Sequence, residues 1–159
     1  MPRLGATREG SAYEENRLYD DPDGRLAARR TVLRLRILDG GPAGRLTFKG
    51  RARYDGAVKS RREIETAVED AAAAHELLEA LGYRRSLTYE KERETWRLGV
   101  VEVALDRLVF GHFCELEGPA EQITALAARL GLDESQAERA GYPSLMAKWS
   151  AKGDARRAK

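Results

Sequence analysis

The sequence predicts an α+β fold, an antiparallel β-barrel with helices packed against its outside. Three observations point there. Period-two alternation dominates residues 13–68 and returns over 87–118. Helical periodicity is confined to one segment between these blocks and to the C-terminal part. Strand after strand places charges on one face and aliphatics on the other, so amphipathic helices have an apolar surface to cover.

The elements follow in order. "YEENRLYD" (13–20) alternates and runs into the turn "DPDG" (21–24). "RLAARRTVLRLRIL" carries its strongest strand signal at 31–38, and "DGGPAG" (39–44) is a hairpin loop by its glycines. "RLTFKG" (45–50) returns, and "KSRREIETAV" (59–68) is a further strand. "EDAAAAHELLEALGY" (69–83) is a helix with Asp70 as N-cap, Gly82 as stop and Leu77, Leu78 and Leu81 as its stripe. Strands resume at 87–98, 100–108 and 111–118. "PAEQITALAARLGL" (119–132) is helical, with Ile123, Leu126, Ala127 and Leu130 on one face. The helical segment 133–149 is broken near "GYP".

A chain of 159 residues suits one domain with a real core. The expected organisation is a flexible N-terminus (1–12), the folded domain (13–149) and a basic flexible tail (150–159). Twenty-eight basic residues nearly cancel 26 acidic ones, and a net charge of +2 is a weak argument for nucleic acid. No stretch reaches membrane-span length, and the lone Cys114 forbids an intramolecular disulfide, as expected of a cytoplasmic protein.

The polar faces carry the functional signal. Arg34 and Arg36 share a face opposite Leu33, Leu35 and Ile37. Thr47 and Lys49 share one; so do Lys59, Arg61, Glu63 and Glu65. Lys91 and Arg93 lie with Tyr89 and Thr95; Glu102 and Asp106 with Ala104; Glu115 and Glu117 with Phe113. A sheet with one wet side accounts for alternation alone. The sorting of charge by strand, basic pairs on some and acidic pairs on others, goes further. Converging Arg and Lys suit a polyphosphate, because guanidinium forks bind phosphate oxygens bidentately. Carboxylate pairs suit Mg²⁺ or Mn²⁺. Together they are the equipment of phosphoryl transfer.

The ordered motifs "LRLR", "LTFKG", "RREIET", "YEKER", "VEVALD" and "ELEG" resemble the CYTH superfamily, the triphosphate tunnel metalloenzymes. These include thiamine triphosphatases, inorganic triphosphatases and class IV adenylate cyclases. The resemblance implies an eight-stranded tunnel that takes a triphosphate. It assigns Arg34, Arg36, Lys49, Lys91, Arg93 and either Arg61 or Arg62 to substrate binding. Glu63, Glu65 and Asp106 fall at catalytic positions, and Glu115 and Glu117 at the metal pair. The family's opening E-x-E-x-K strand does not occur upstream of Tyr13. The barrel is therefore expected to be incomplete at its N-terminus, through a start placed too far downstream or a genuinely open sheet. Open edges invite pairing with a second copy, hence a homodimer.

The implied activity is metal-dependent hydrolysis of a small-molecule triphosphate. Cyclic AMP formation from ATP and non-catalytic polyphosphate binding are the alternatives. The other residues have plainer readings: His75 and Lys148 on helix surfaces, His112 in a turn, Cys114 as a buried thiol, and Trp96, Tyr89 and Tyr142 as core or rim aromatics. No serine or cysteine nucleophile–base pair stands out, which disfavours covalent catalysis.

Overall fold

The computed structural model describes every residue except 57, 134, 136, 158 and 159, and the side chains of 152–157 are left out of the description. The chain divides into two compact units, one of residues 11–93 and one of 1–10 with 94–159.

The strands are β1 (Thr7–Asp20), β2 (Val32–Leu38), β3 (Gly44–Lys49), β4 (Arg53–Asp55), β5 (Val58–Ser60), β6 (Glu63–Val68), β7 (Arg84–Leu98), β8 (Val101–Leu108) and β9 (Gly111–Glu117). The helices are α1 (Arg25–Ala28), α2 (Ala71–Ala80), α3 (Ala120–Arg129) and α4 (Tyr142–Arg157). Seven strands form one sheet in the order β6-β3-β2-β1-β7-β8-β9, and β4 and β5 make a separate ribbon. The β1–β2, β2–β3, β3–β6 and β8–β9 ladders are antiparallel. None of the described helices is long and apolar enough to cross a membrane.

In the 11–93 unit, the turn after β1 is organised by two carboxylates. Asp20 accepts from the Leu26 and Ala27 N–H groups at 2.8 and 2.9 Å, and Asp21 from those of Asp23 and Arg25, both at 3.0 Å. These bonds satisfy donors that a short helix leaves orphaned. They explain α1, a turn of helix that alternation alone did not reveal. The β2–β3 hairpin turns on Asp39 and Gly40, both at positive φ, the geometry that favours an Asp-Gly pair. At Gly44 a Cβ would lie 2.8 Å from the Arg36 carbonyl and 3.1 Å from the Leu35 side chain, so only glycine lets β3 begin this close to β2. Asp70 caps α2 as predicted, accepting from Ala72 and Ala73 at 2.8 and 2.9 Å. Helix α2 covers the aliphatic face: Tyr19, Leu35, Ile37, Ala71 and Leu78 form the core, flanked by Leu33, Leu46, Val68 and Tyr83.

The other unit repeats this design. Val101, Val103 and Leu126 form a core with Trp96, Leu98, Leu116 and Leu130, so α3 covers the aliphatic side of β8 and β9.

Several expectations need correction. The strand expected over 59–68 is two, β5 and β6, interrupted at Arg61 and Arg62 where the Gly50 N–H bonds to the Arg62 carbonyl at 2.8 Å. Lys59 therefore belongs to the β4–β5 ribbon and not to the face of Glu63. Residues 7–12 belong to β1, and α4 begins at Tyr142 and continues to Arg157. Cys114 lies on the aliphatic face but is exposed, opposite Leu105, where that face is also solvent-accessible.

Candidate anion site and acidic face

The basic residues converge within the 11–93 unit. The register explains how. Arg36 lies across from Asn16 on β1 and Arg45 on β3; Arg34 lies across from Leu18 and Thr47; Thr47 pairs with Glu65 and Lys49 with Glu63. Directly opposed residues share a face. That face is thus built from β1, β2, β3 and β6, away from the α2 side.

Arg34 is 6% exposed. It donates to Thr47 Oγ1 at 3.3 Å and lies 3.8 Å from Glu65. It also hydrogen-bonds the buried Tyr89 hydroxyl. Its Nε is buried and has no hydrogen-bond acceptor. A buried guanidinium N–H without an acceptor is costly, and an arriving anion relieves that cost. Burial, with Arg36 beside it, pulls the Arg34 pKa down.

Lys49 donates to Glu63 at about 3 Å, and Arg61 Nε meets the same carboxylate at 2.9 Å. Burial and the neighbouring Arg34 charge push the Lys49 ammonium down to about 8, against the pull of its Glu63 hydrogen bond. Desolvation works to raise Glu63 and Glu65. In Glu63, hydrogen bonds from Lys49 and Arg61 outweigh it; in Glu65, those from Arg45 and Thr47 do, so both stay below the usual carboxylate range. Arg62 is exposed and offers its backbone carbonyl to Gly50; Arg61 is the one that reaches Glu63.

Lys91 and Arg93 come from β7 and converge on a residue that sequence reasoning passed over. Glu14 is 2% exposed. Its carboxylate lies 3.3 Å from Arg36 Nε, 3.4 Å from Lys91 Nζ and 3.9 Å from Arg93 Nε. Asn16, fully buried, lies 3.4 Å from both Glu14 and Arg36. The signal was weak because both faces of "YEENR" carry charge. Only its register against β2 shows which one turns toward the arginines.

The predicted acidic residues lie in the other unit. Glu102, Ala104 and Asp106 of β8 oppose Glu117, Glu115 and Phe113 of β9, so the carboxylates share one face. Asp106 is buried and accepts from the Tyr142 hydroxyl at 2.8 Å. Glu102 takes Arg97 at 3.0 Å. Burial, then the Glu115 and Asp106 charges, raise the Tyr142 pKa strongly, since a phenolate there would face two carboxylates. The Tyr142 ring packs between Phe110 and Phe113, with centroids 6.3 and 5.2 Å away. The donors are of the hard-oxygen class that suits Mg²⁺ or Mn²⁺. Among the described residues, however, no three His, Cys, Asp or Glu side chains assemble into a metal-holding group. The carboxylates among the described residues do not by themselves complete a metal site.

The sheet is mostly antiparallel, with helices on its aliphatic side and a buried basic cluster on its polar side. The CYTH domain model matches residues 2–142, and the chain belongs to that family. It is 29% identical over 143 residues to the adenylate cyclase CyaB of Aeromonas hydrophila, covering 83% of this chain and 71% of that one. Its fold is that of a proposed adenylate cyclase from Vibrio parahaemolyticus (TM-score 0.79, 23% identity, 92% and 87% of the two chains covered). It is also shared by HpAC1 from Hippeastrum, a proposed adenylyl cyclase described as having a dominant triphosphatase activity (TM-score 0.74, 17% identity, 89% and 84% covered).

Proposed function

We propose that the basic face of the 11–93 unit binds the triphosphate of a small-molecule substrate and that the protein hydrolyses it. The observation that carries this is Arg34: a buried guanidinium whose Nε has no acceptor, in a cluster with Arg36, Lys49, Lys91 and Arg93. In this reading these cations grip phosphoryl oxygens and offset the charge that develops as the terminal phosphorus is attacked. Such catalysis rests on positioning and electrostatics. Glu63 and Glu65 hold Lys49, Arg61 and Arg45 in place and can orient an attacking water. Mg²⁺ or Mn²⁺, where turnover needs it, would draw on the hard carboxylate oxygens of Glu115 and Glu117.

The test is product analysis with tripolyphosphate and with ATP, each with and without Mg²⁺. Orthophosphate from tripolyphosphate without cyclic AMP from ATP supports hydrolysis. Cyclic AMP without orthophosphate release overturns it in favour of the cyclase, the reading that the Aeromonas hydrophila relative favours. Binding without turnover would make the chain a polyphosphate binder, which fits the absence of a three-donor metal group among the described residues.

A further inference from the structure

We infer that Glu14 is a resident counter-anion of the triphosphate clamp, held in the position that a phosphoryl group takes and displaced when the ligand binds. The inference rests on the reading of the basic face as a triphosphate site and adds a residue that limits affinity there.

Three observations carry it. First, Glu14 is a buried carboxylate shared by Arg36, Lys91 and Arg93, with no contact to them shorter than 3.3 Å. Charge-assisted N–H···O bonds settle near 2.7–2.9 Å when geometry allows. This chain reaches such distances at Arg17–Glu15 (2.6 Å), Arg45–Glu65 (2.7 Å) and Lys49–Glu63 (2.9 Å). That one carboxylate is spread at long range over Arg36, Lys91 and Arg93, whereas a triphosphate brings many oxygens. Second, Arg34 in the same cluster keeps a buried Nε without an acceptor even with Glu14 nearby. Third, Glu14 is tethered only loosely on its own side, through Asn16 at 3.4 Å. A side chain without a tight anchor of its own is held chiefly by the cations that a ligand would engage.

The physics gives this role a sign. Without ligand, a carboxylate among buried cations reduces their mutual repulsion and their desolvation cost. With ligand, the same negative charge repels the polyphosphate, and in a buried site that repulsion is poorly screened. Glu14 therefore stabilises the empty site and opposes the filled one. A purely structural staple would do the reverse, since its loss would disorder the cations and weaken binding.

Calorimetric titration of wild type and Glu14→Gln with tripolyphosphate and with pyrophosphate tests this. The expected result is at least tenfold tighter tripolyphosphate binding by Glu14→Gln, a smaller gain for the less charged pyrophosphate, and a lower melting temperature without ligand. Wild-type binding with equal or weaker binding by Glu14→Gln overturns the role of Glu14 and leaves the triphosphate site standing. No binding by either protein overturns the site itself, and this inference with it. Should Glu14→Gln fail to fold, a structure of the wild type with tripolyphosphate decides. Phosphoryl oxygens on Arg36 and Lys91, with Glu14 withdrawn from them, bear the inference out; unchanged Glu14 contacts overturn it.

Discussion

The polar faces of the two units are built from the same strand grammar and end in opposite electrostatic states. Within residues 11–93, Arg34 and Lys91 are buried cations, the buried Glu14 lies 3.3 Å or more from the cations around it, and the Arg34 Nε has no acceptor. On β8 and β9, the buried carboxylate Asp106 has a short bond from Tyr142, and Glu102 has one from Arg97. The first face keeps one buried donor, the Arg34 Nε, without an acceptor, and on the second the buried Asp106 has a short donor. Alternation alone does not make a binding site. What makes one is buried charge that the protein has left short of partners.

The largest expected effect breaks this comparison if it fails. Arg34→Ala removes a buried guanidinium and should weaken metal-free tripolyphosphate binding at least 100-fold, about 3 kcal/mol, in line with charged hydrogen bonds lost from a buried site. Arg34→Lys should recover only part, because a point charge cannot replace a fork. Glu117→Gln on the exposed end of the other face should leave metal-free affinity within twofold. Equal losses from Arg34→Ala and Glu117→Gln would show that the two faces do not differ in the way described.

Tyr142→Phe probes the satisfied face. It strips Asp106 of its 2.8 Å donor while keeping the ring between Phe110 and Phe113. A buried acceptor that loses its partner costs about 1–3 kcal/mol. Chemical denaturation should show a loss of that size. A neutral result would mean that Asp106 does not depend on Tyr142.

A third expectation concerns pH. With Lys49 at about 8, its positive charge fades above that pH, and tripolyphosphate affinity should fall about tenfold between pH 7 and pH 9. The sign for stability is opposite. A lysine whose folded pKa is depressed below its ordinary 10.5 binds fewer protons folded than unfolded, so it costs stability below pH 8. That cost is relieved as pH rises from about 8 toward 10.5. Ligand-free melting should therefore gain from Lys49 over a range in which binding weakens, and Lys49→Met should flatten both trends. Parallel pH trends for affinity and stability would rule Lys49 out as their source.

Much of this was legible in the sequence because period two is rigid. Once "TVLRLRIL" is a strand, Arg34 and Arg36 must share a face and Leu35 and Ile37 must take the core side, where α2 covers them. Caps were equally readable, since Asp70 and Gly82 act through local backbone geometry. The partners of Lys91 and Arg93 were not readable. They depend on a carboxylate many residues away on β1, in a segment whose two faces are both charged. The break at Arg61–Arg62 was hidden for a similar reason: both halves of 59–68 alternate, and only pairing with β3 shows where one ends.

The smallest expected effect separates the apolar side of the 11–93 unit from its polar side. Asp70 accepts two N–H groups at the start of α2 and is exposed. Asp70→Ala should cost about 1 kcal/mol of stability, as lost N-caps do. Asp70→Asn, which keeps an accepting oxygen, should cost much less. Tripolyphosphate affinity should not move in either variant, because the Arg34 and Arg36 positions are fixed by the β1–β2–β3 ladders rather than by the first turn of α2. A tenfold loss of affinity in Asp70→Ala would mean that the helix, and not the ladders, sets the geometry of the clamp.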